Sequence, residues 1–144
     1  MSEQPWDHLI STDKILDIHS ECIAQFGGDN TPEAKDGCVE GSLGAGWNAE
    51  LYSGSEEEAA GLCFAGCILF YLVKNHCFVD GNKRVAWASC MEILRSLGLT
   101  IRATDDEAET FCIEVITGDG NVKRATDVCI WLAPRLEALP ELEN

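Results

Sequence analysis

At 144 residues, with 46% hydrophobic and 24% charged side chains, the chain is long enough to bury a core and too apolar for disorder. Its 25 acidic against 10 basic residues give a formal net charge of −15. That balance argues against nucleic acid or an anionic membrane as a partner, because such binding draws on Lys and Arg contacts with phosphate.

No apolar run reaches transmembrane length, and Met1-Ser2-Glu3-Gln4 has neither the basic nor the apolar region of a signal peptide, so a cytoplasmic protein is expected. Ile15, Ile18, Cys22, Ile23 and Phe26 recur at helical spacing, and Gly27-Gly28 stops that run. Thr31-Pro32 reads as a cap and first residue of a second helix, through Cys38, Val39 and Leu43. From Gly44 to Gly54 the chain is punctuated by glycines around Trp47 and Tyr52, which predicts a mobile loop or short hairpin. Ser55-Glu56-Glu57-Glu58 is a capping box opening a long helix. In that helix Leu62, Cys63, Gly66, Ile68, Phe70 and Val73 are apolar on most sides, which places it at the centre of the domain.

A fourth helix is expected from near Asn82 to Gly98, through Val85, Met91, Ile93 and Leu94. Thr104-Asp105-Asp106-Glu107 is a second capping box, whose helix runs through Phe111, Cys112 and Val115 to Gly118. Val128, Cys129, Trp131 and Leu132 mark the last helix, ended by Pro134. The expectation is an all-α fold: one domain over residues 1–144, with short tails at 1–10 and 138–144. It is a compact bundle of about six helices around a buried central one, with room for a short flap hairpin.

Eight cysteines are many for this length. With no secretory signal and no Cys-x-x-Cys pair, they read as reduced thiols. Cys63 and Cys67 share one helix face and alone could offer two metal ligands. However, Cys22, Cys63, Cys67, Cys112 and Cys129 fall at apolar positions, where a thiol acts as a small hydrophobe, so packing is the expectation.

The stretch with no packing rationale is His76-Cys77-Phe78-Val79-Asp80-Gly81-Asn82-Lys83-Arg84. It falls between two helices, where the free amides and the dipole of a helix start form an anion site. Gly81 allows a turn and close approach to a ligand. Lys83 and Arg84 add positive charge where the rest of the chain would repel phosphate. Asp80 can hold Mg²⁺ through one carboxylate, and the imidazole of His76 is the side chain most often used as a general base. Asp-Gly-Asn is also an ordinary turn, but Lys-Arg at a helix start opposes the dipole unless an anion sits there. Phe78 is expected to anchor the loop in the core. Cys77 beside His76 invites a nucleophile reading, yet neighbours on an extended loop point apart, which favours packing.

These residues resemble the Fic/Doc signature His-x-Phe-x-(Asp/Glu)-(Gly/Ala)-Asn-(Gly/Lys)-Arg. The likeness is to the Doc branch: Lys83 stands where AMP-transferring members usually have Gly, and Trp87 stands where they carry a second Arg. Ile18-His19 through Phe26-Gly27-Gly28, and Asp36-Gly37 with Glu40-Gly41-Ser42-Leu43, are similar to Doc segments. The resemblance implies a helical toxin of a toxin–antitoxin pair, using ATP and Mg²⁺ to phosphorylate a protein hydroxyl, with elongation factor Tu as the expected target. His76 would be the general base, Asp80 the Mg²⁺ ligand, and Gly81, Asn82, Lys83 and Arg84 the phosphate-binding set. The Gly44–Gly54 loop would be the flap that aligns the target. His19 sits where the family keeps a His, and packing is expected of it. Ser53-Gly54-Ser55-Glu56-Glu57-Glu58 only approaches the family's inhibitory motif, so restraint is expected from a separate antitoxin. AMP transfer is the alternative activity, and nucleotide binding without transfer a second alternative.

Overall fold

The computed structural model describes residues 3–52, 61–119 and 122–140. Six α-helices appear among them: α1 (Thr12–Phe26), α2 (Cys38–Tyr52), α3 (Leu62–Asn75), α4 (Asn82–Ser96), α5 (Asp105–Thr117) and α6 (Ala125–Leu132). A 3-10 turn at Ala133–Arg135 follows α6. Strands β1 (Leu99–Ile101) and β2 (Leu136–Ala138) pair antiparallel, with Thr100 opposite Glu137. This two-stranded ribbon carries no alternating signal in the sequence; both strands are three residues long and partly exposed. No helix of the described residues is long and apolar enough to cross a membrane.

Helix α3 is the centre of the fold and packs against α2, α4, α5 and α6. Phe64 through Leu69, with Leu72 and Val73, are buried, so its apolar character on most sides is matched by neighbours on most sides. Each such Leu, Ile or Phe contributes about 1.5–3 kcal/mol through removal from water. Gly66 lets α6 come close: a Cβ there would stand 2.6 Å from Cys129 Sγ and 3.2 Å from its backbone nitrogen. Gly66→Ala is therefore expected to destabilise the protein. Overpacking costs about 1–3 kcal/mol, against at most about 1 kcal/mol of helix propensity gained. Urea unfolding of the variant measures the difference.

The helix ends follow their local chemistry. Ser11 caps α1 by accepting from the Lys14 amide at 3.1 Å. Gly27, at φ 86°, ends it. Thr104 and Glu107 form the expected reciprocal capping box at α5, which closes at left-handed Gly118. Before α1, residues 3–10 form no helix or strand yet bury Trp6, Leu9 and Ile10.

Two expectations about α2 are corrected. The helix begins at Cys38 rather than at Pro32. Thr31 does not cap it, because its amide and hydroxyl both donate to Asp29 Oδ1, closing a local turn. Glu33 takes the capping role, accepting from the Val39 amide at 2.9 Å. The stretch read as a loop or flap is helical from Gly44 through Tyr52. Gly46 is a packing glycine, since a Cβ there would meet Ile68 Cδ1 at 2.8 Å. Residues 53 and 54, and the capping box at Ser55–Glu58, lie outside the described residues.

Candidate active site

The loop from His76 to Gly81 joins the buried helix α3 to α4. His76 ends α3 in the left-handed conformation, φ 52° and ψ 55°, and is the one non-glycine residue with positive φ among those described. Gly81, at φ 82° and ψ 10°, turns the chain into α4. Between them Cys77 and Phe78 point inward and are buried, while Val79 and Asp80 are exposed, as is His76. The loop thus sorts anchoring residues from chemical ones.

No side chain caps the start of α4. Its first amides, from Asn82 onward, have no partner within the helix and carry the positive end of the dipole, which suits an anion. The Asn82 carboxamide serves the loop: Oδ1 accepts from the Phe78 amide at 3.0 Å, and Nδ2 donates to the Phe78 carbonyl at 2.8 Å. The same Nδ2 lies 3.4 Å from His76 Nε2. An amide nitrogen can only donate, so this contact favours the imidazole tautomer whose lone pair is on Nε2. Asn82→Ala should cost about 1–3 kcal/mol, because it leaves the buried Phe78 amide without its acceptor. Chemical denaturation of that variant is the check.

Asp80 is held from the α1 side. Its Oδ2 accepts from the Asp29 amide at 2.8 Å, and its carbonyl lies 3.1 Å from His19 Nε2. His19 is buried and stacks on Phe78, ring centres 4.1 Å apart and 8° from parallel. It therefore packs, as expected, and also fixes the Asp80 backbone. Gly28, at φ 118°, admits Asp80: a Cβ would stand 3.1 Å from Asp80 Cβ. Hydrogen bonds from the Thr31 side chain and amide hold the Asp29 carboxyl below its ordinary pKa. The sequence signal for Asp29 is its Asx-turn pattern with Thr31.

Lys83 and Arg84 leave the helix start on different sides. Lys83 Nζ lies 3.6 Å from Glu109 Oε1 on α5. The Arg84 guanidinium sits 4.0 Å over the Phe26 ring at the end of α1. Burial pushes the Cys22 thiol up in pKa, against the opposing effect of Arg84. Trp87, at the place of the second Arg, meets Trp131 edge-on at 6.2 Å.

On the opposite side, the segment before α2 clamps the loop. Ala34 N–H donates to the Cys77 carbonyl and Lys35 Nζ to the Asn75 carbonyl, both at 2.8 Å. Asn75 Nδ2 donates to Ser42 Oγ at 2.9 Å. Cys38 and Cys77 form a disulfide with Cα atoms 5.4 Å apart. This corrects the reading of all eight cysteines as reduced thiols: the fold brings the start of α2 against the loop at bonding distance. It also disposes of Cys77 as a nucleophile. Cys22, Cys63, Cys67, Cys90, Cys112 and Cys129 form no disulfide.

Comparison with known proteins places this arrangement. The model of the Fic/DOC family matches residues 9–94, more than half the chain and including the whole loop. The chain belongs to that family. The chain is also similar to a protein called Toxin Doc from Mycolicibacterium smegmatis (strain ATCC 700084 / mc(2)155), 42% identical over 57 residues. That alignment spans 38% of this chain and 44% of the relative. Resemblance within the family thus lies with the Doc branch.

Proposed function

We propose that the chain is a Doc-like toxin, one domain that transfers the γ-phosphate of ATP to a hydroxyl of a protein target and so inhibits translation. The target proposed is elongation factor Tu, which sets the cytoplasm as the place of action. A separate antitoxin restrains it. The observation that carries this reading is the placement of His76 Nε2, 3.4 Å from Asn82 Nδ2, at the mouth of an uncapped helix start.

The residues fit ATP with Mg²⁺. An uncapped helix start, a carboxylate at Asp80 and two cations form the donor set that a magnesium-bound polyphosphate requires. When bound, Mg²⁺ supplies charge neutralisation on the phosphate oxygens. His76 takes the hydroxyl proton on Nε2 as the new O–P bond forms, and the bond from the γ-phosphorus to ADP breaks. Asp80 holds the metal. The backbone of Gly81 and Asn82, with the side chains of Lys83 and Arg84, binds the phosphates. For the Asn82 side chain the role is positioning, through Phe78 and His76.

A second reading, AMP transfer, has one observation in its favour. The pairing of Lys83 with Glu109 draws toward α5 the cation that would otherwise crowd an α-phosphate. Incubation with elongation factor Tu and ATP labelled at the γ-phosphate decides: label on the factor, lost in His76→Asn, is the expected result. Label arriving only from the α-phosphate would establish AMP transfer instead, and nucleotide binding with no label from either position would leave a binding module.

A further inference from the structure

A second cluster of chemical groups lies away from the loop, where α6 crosses α3. Cys63 and Cys67, one turn apart on α3, are joined there by Cys129 from α6. Among the described residues these three sulfurs are the one group of potential ligands lying within 4.8 Å of one another. Cys63 Sγ and Cys67 Sγ are 3.9 Å apart. A tetrahedral zinc ion with Zn–S bonds of about 2.3 Å separates its sulfurs by about 3.8 Å, so the Cys63–Cys67 spacing fits and the widest of the three pairs needs to close by about 1 Å at most. The site is some distance from the motif: Cys67 and His76 are separated by roughly 13 Å along the helix.

Three features favour an ion over simple packing. Cys129 is brought in by the close approach that Gly66 permits, since any side chain there would displace its sulfur. Cys129 is only half-buried, which gives an ion a route in, while Cys67 forms the floor. The carboxylate of Glu50, on α2, stands at the same junction, accepting from the Gly61 and Phe64 amides at 2.6 and 3.1 Å. Glu50 lies close enough to both Cys63 and Cys129 for their charges to interact. Without an ion, the Cys129 thiol donates weakly to the Cys63 and Ala125 carbonyls, at 3.5 and 3.6 Å.

We propose that Cys63, Cys67 and Cys129 bind one Zn²⁺ ion as thiolates, with water in the fourth position, joining α3 to α6. Soft sulfur ligands select zinc over magnesium, so this site and the phosphate loop do not compete for metal. Binding releases the thiol protons to solvent and changes no oxidation state. The inference is independent of the proposed phosphotransfer.

The test titrates chelator-treated, reduced protein with Co²⁺. The expected result is sulfur-to-cobalt charge-transfer absorption that saturates at one equivalent and is abolished by Zn²⁺. Cys129→Ser and Cys63→Ser should lose it, while Cys22→Ser and Cys38→Ser keep it. Zn²⁺ should also raise the urea midpoint of the wild-type chain and leave that of Cys129→Ser unmoved, with circular dichroism establishing that each variant is folded. Absence of the absorption, its survival in either Cys129→Ser or Cys63→Ser, or an oxygen-ligand spectrum alone would overturn the assignment. Cys63, at the first turn of α3, is the variant that decides if Cys129→Ser does not fold.

Discussion

Replacing His76 with Asn should lower transfer to the protein target by about 10²–10⁴-fold, the range for removing a positioned general base, while the melting temperature hardly moves. The choice of Asn matters. Position 76 is left-handed, a conformation that costs most residues roughly 1–2 kcal/mol but that Asn tolerates. Alanine would mix a backbone effect with the chemical one. Asn also lacks a group that titrates near neutrality, so it removes the base and keeps a polar side chain beside Asn82. Initial rates with labelled ATP, read beside thermal melts, separate the two effects. A variant that melts like the parent yet transfers at the parental rate would rule His76 out as the base.

Reduction of the Cys38–Cys77 bond, or Cys38→Ser, should cost about 4 kcal/mol of unfolding free energy, because opening so long a loop returns entropy to the unfolded chain. The two cysteines are 39 residues apart. Domains are stable by only about 5–15 kcal/mol, so this is a large share. Cys38 is the better position to change, since it is half-buried and Cys77 is fully enclosed. The folded loop should persist in the reduced protein, held by the Ala34–Cys77 and Lys35–Asn75 hydrogen bonds. Urea midpoints measured with and without reductant give the size of the effect, and coincident midpoints would refute it.

What could be read from the sequence, and what could not, follows from the range of the interaction responsible. Thr104-Asp105-Asp106-Glu107 announces α5 because both bonds of its capping box close within four residues. The His76–Arg84 stretch is legible for the opposite reason: no core requires its residue types. Thr31-Pro32 carries an equally good cap signature, but Asp29 captures Thr31, and helix formation waits until Cys38. Gly46 looks like a turn glycine, because the letter does not reveal that Ile68 fills the space a Cβ would need. The Cys38–Cys77 bond and the β1–β2 pairing join segments distant in the chain, and no local pattern marks either. Asn82 stands out in the sequence as part of the motif, but its grip on both backbone groups of Phe78 does not.

The stacking of His19 on Phe78, with Asn82 closing the loop behind it, bears on what a ligand would encounter. The backbone from His76 to Asn82 is preorganised: its turns are fixed by contacts to α1, α2 and α4 made before any ligand arrives. Binding therefore need not order this segment, and little of the interaction energy is lost to conformational entropy. The adjustable parts are the ends of Lys83 and Arg84, each resting against a partner at the rim. Under the proposed function, discrimination between ligands would rest in how readily those two side chains exchange their resting partners for phosphate, on a main chain that stays where the core puts it.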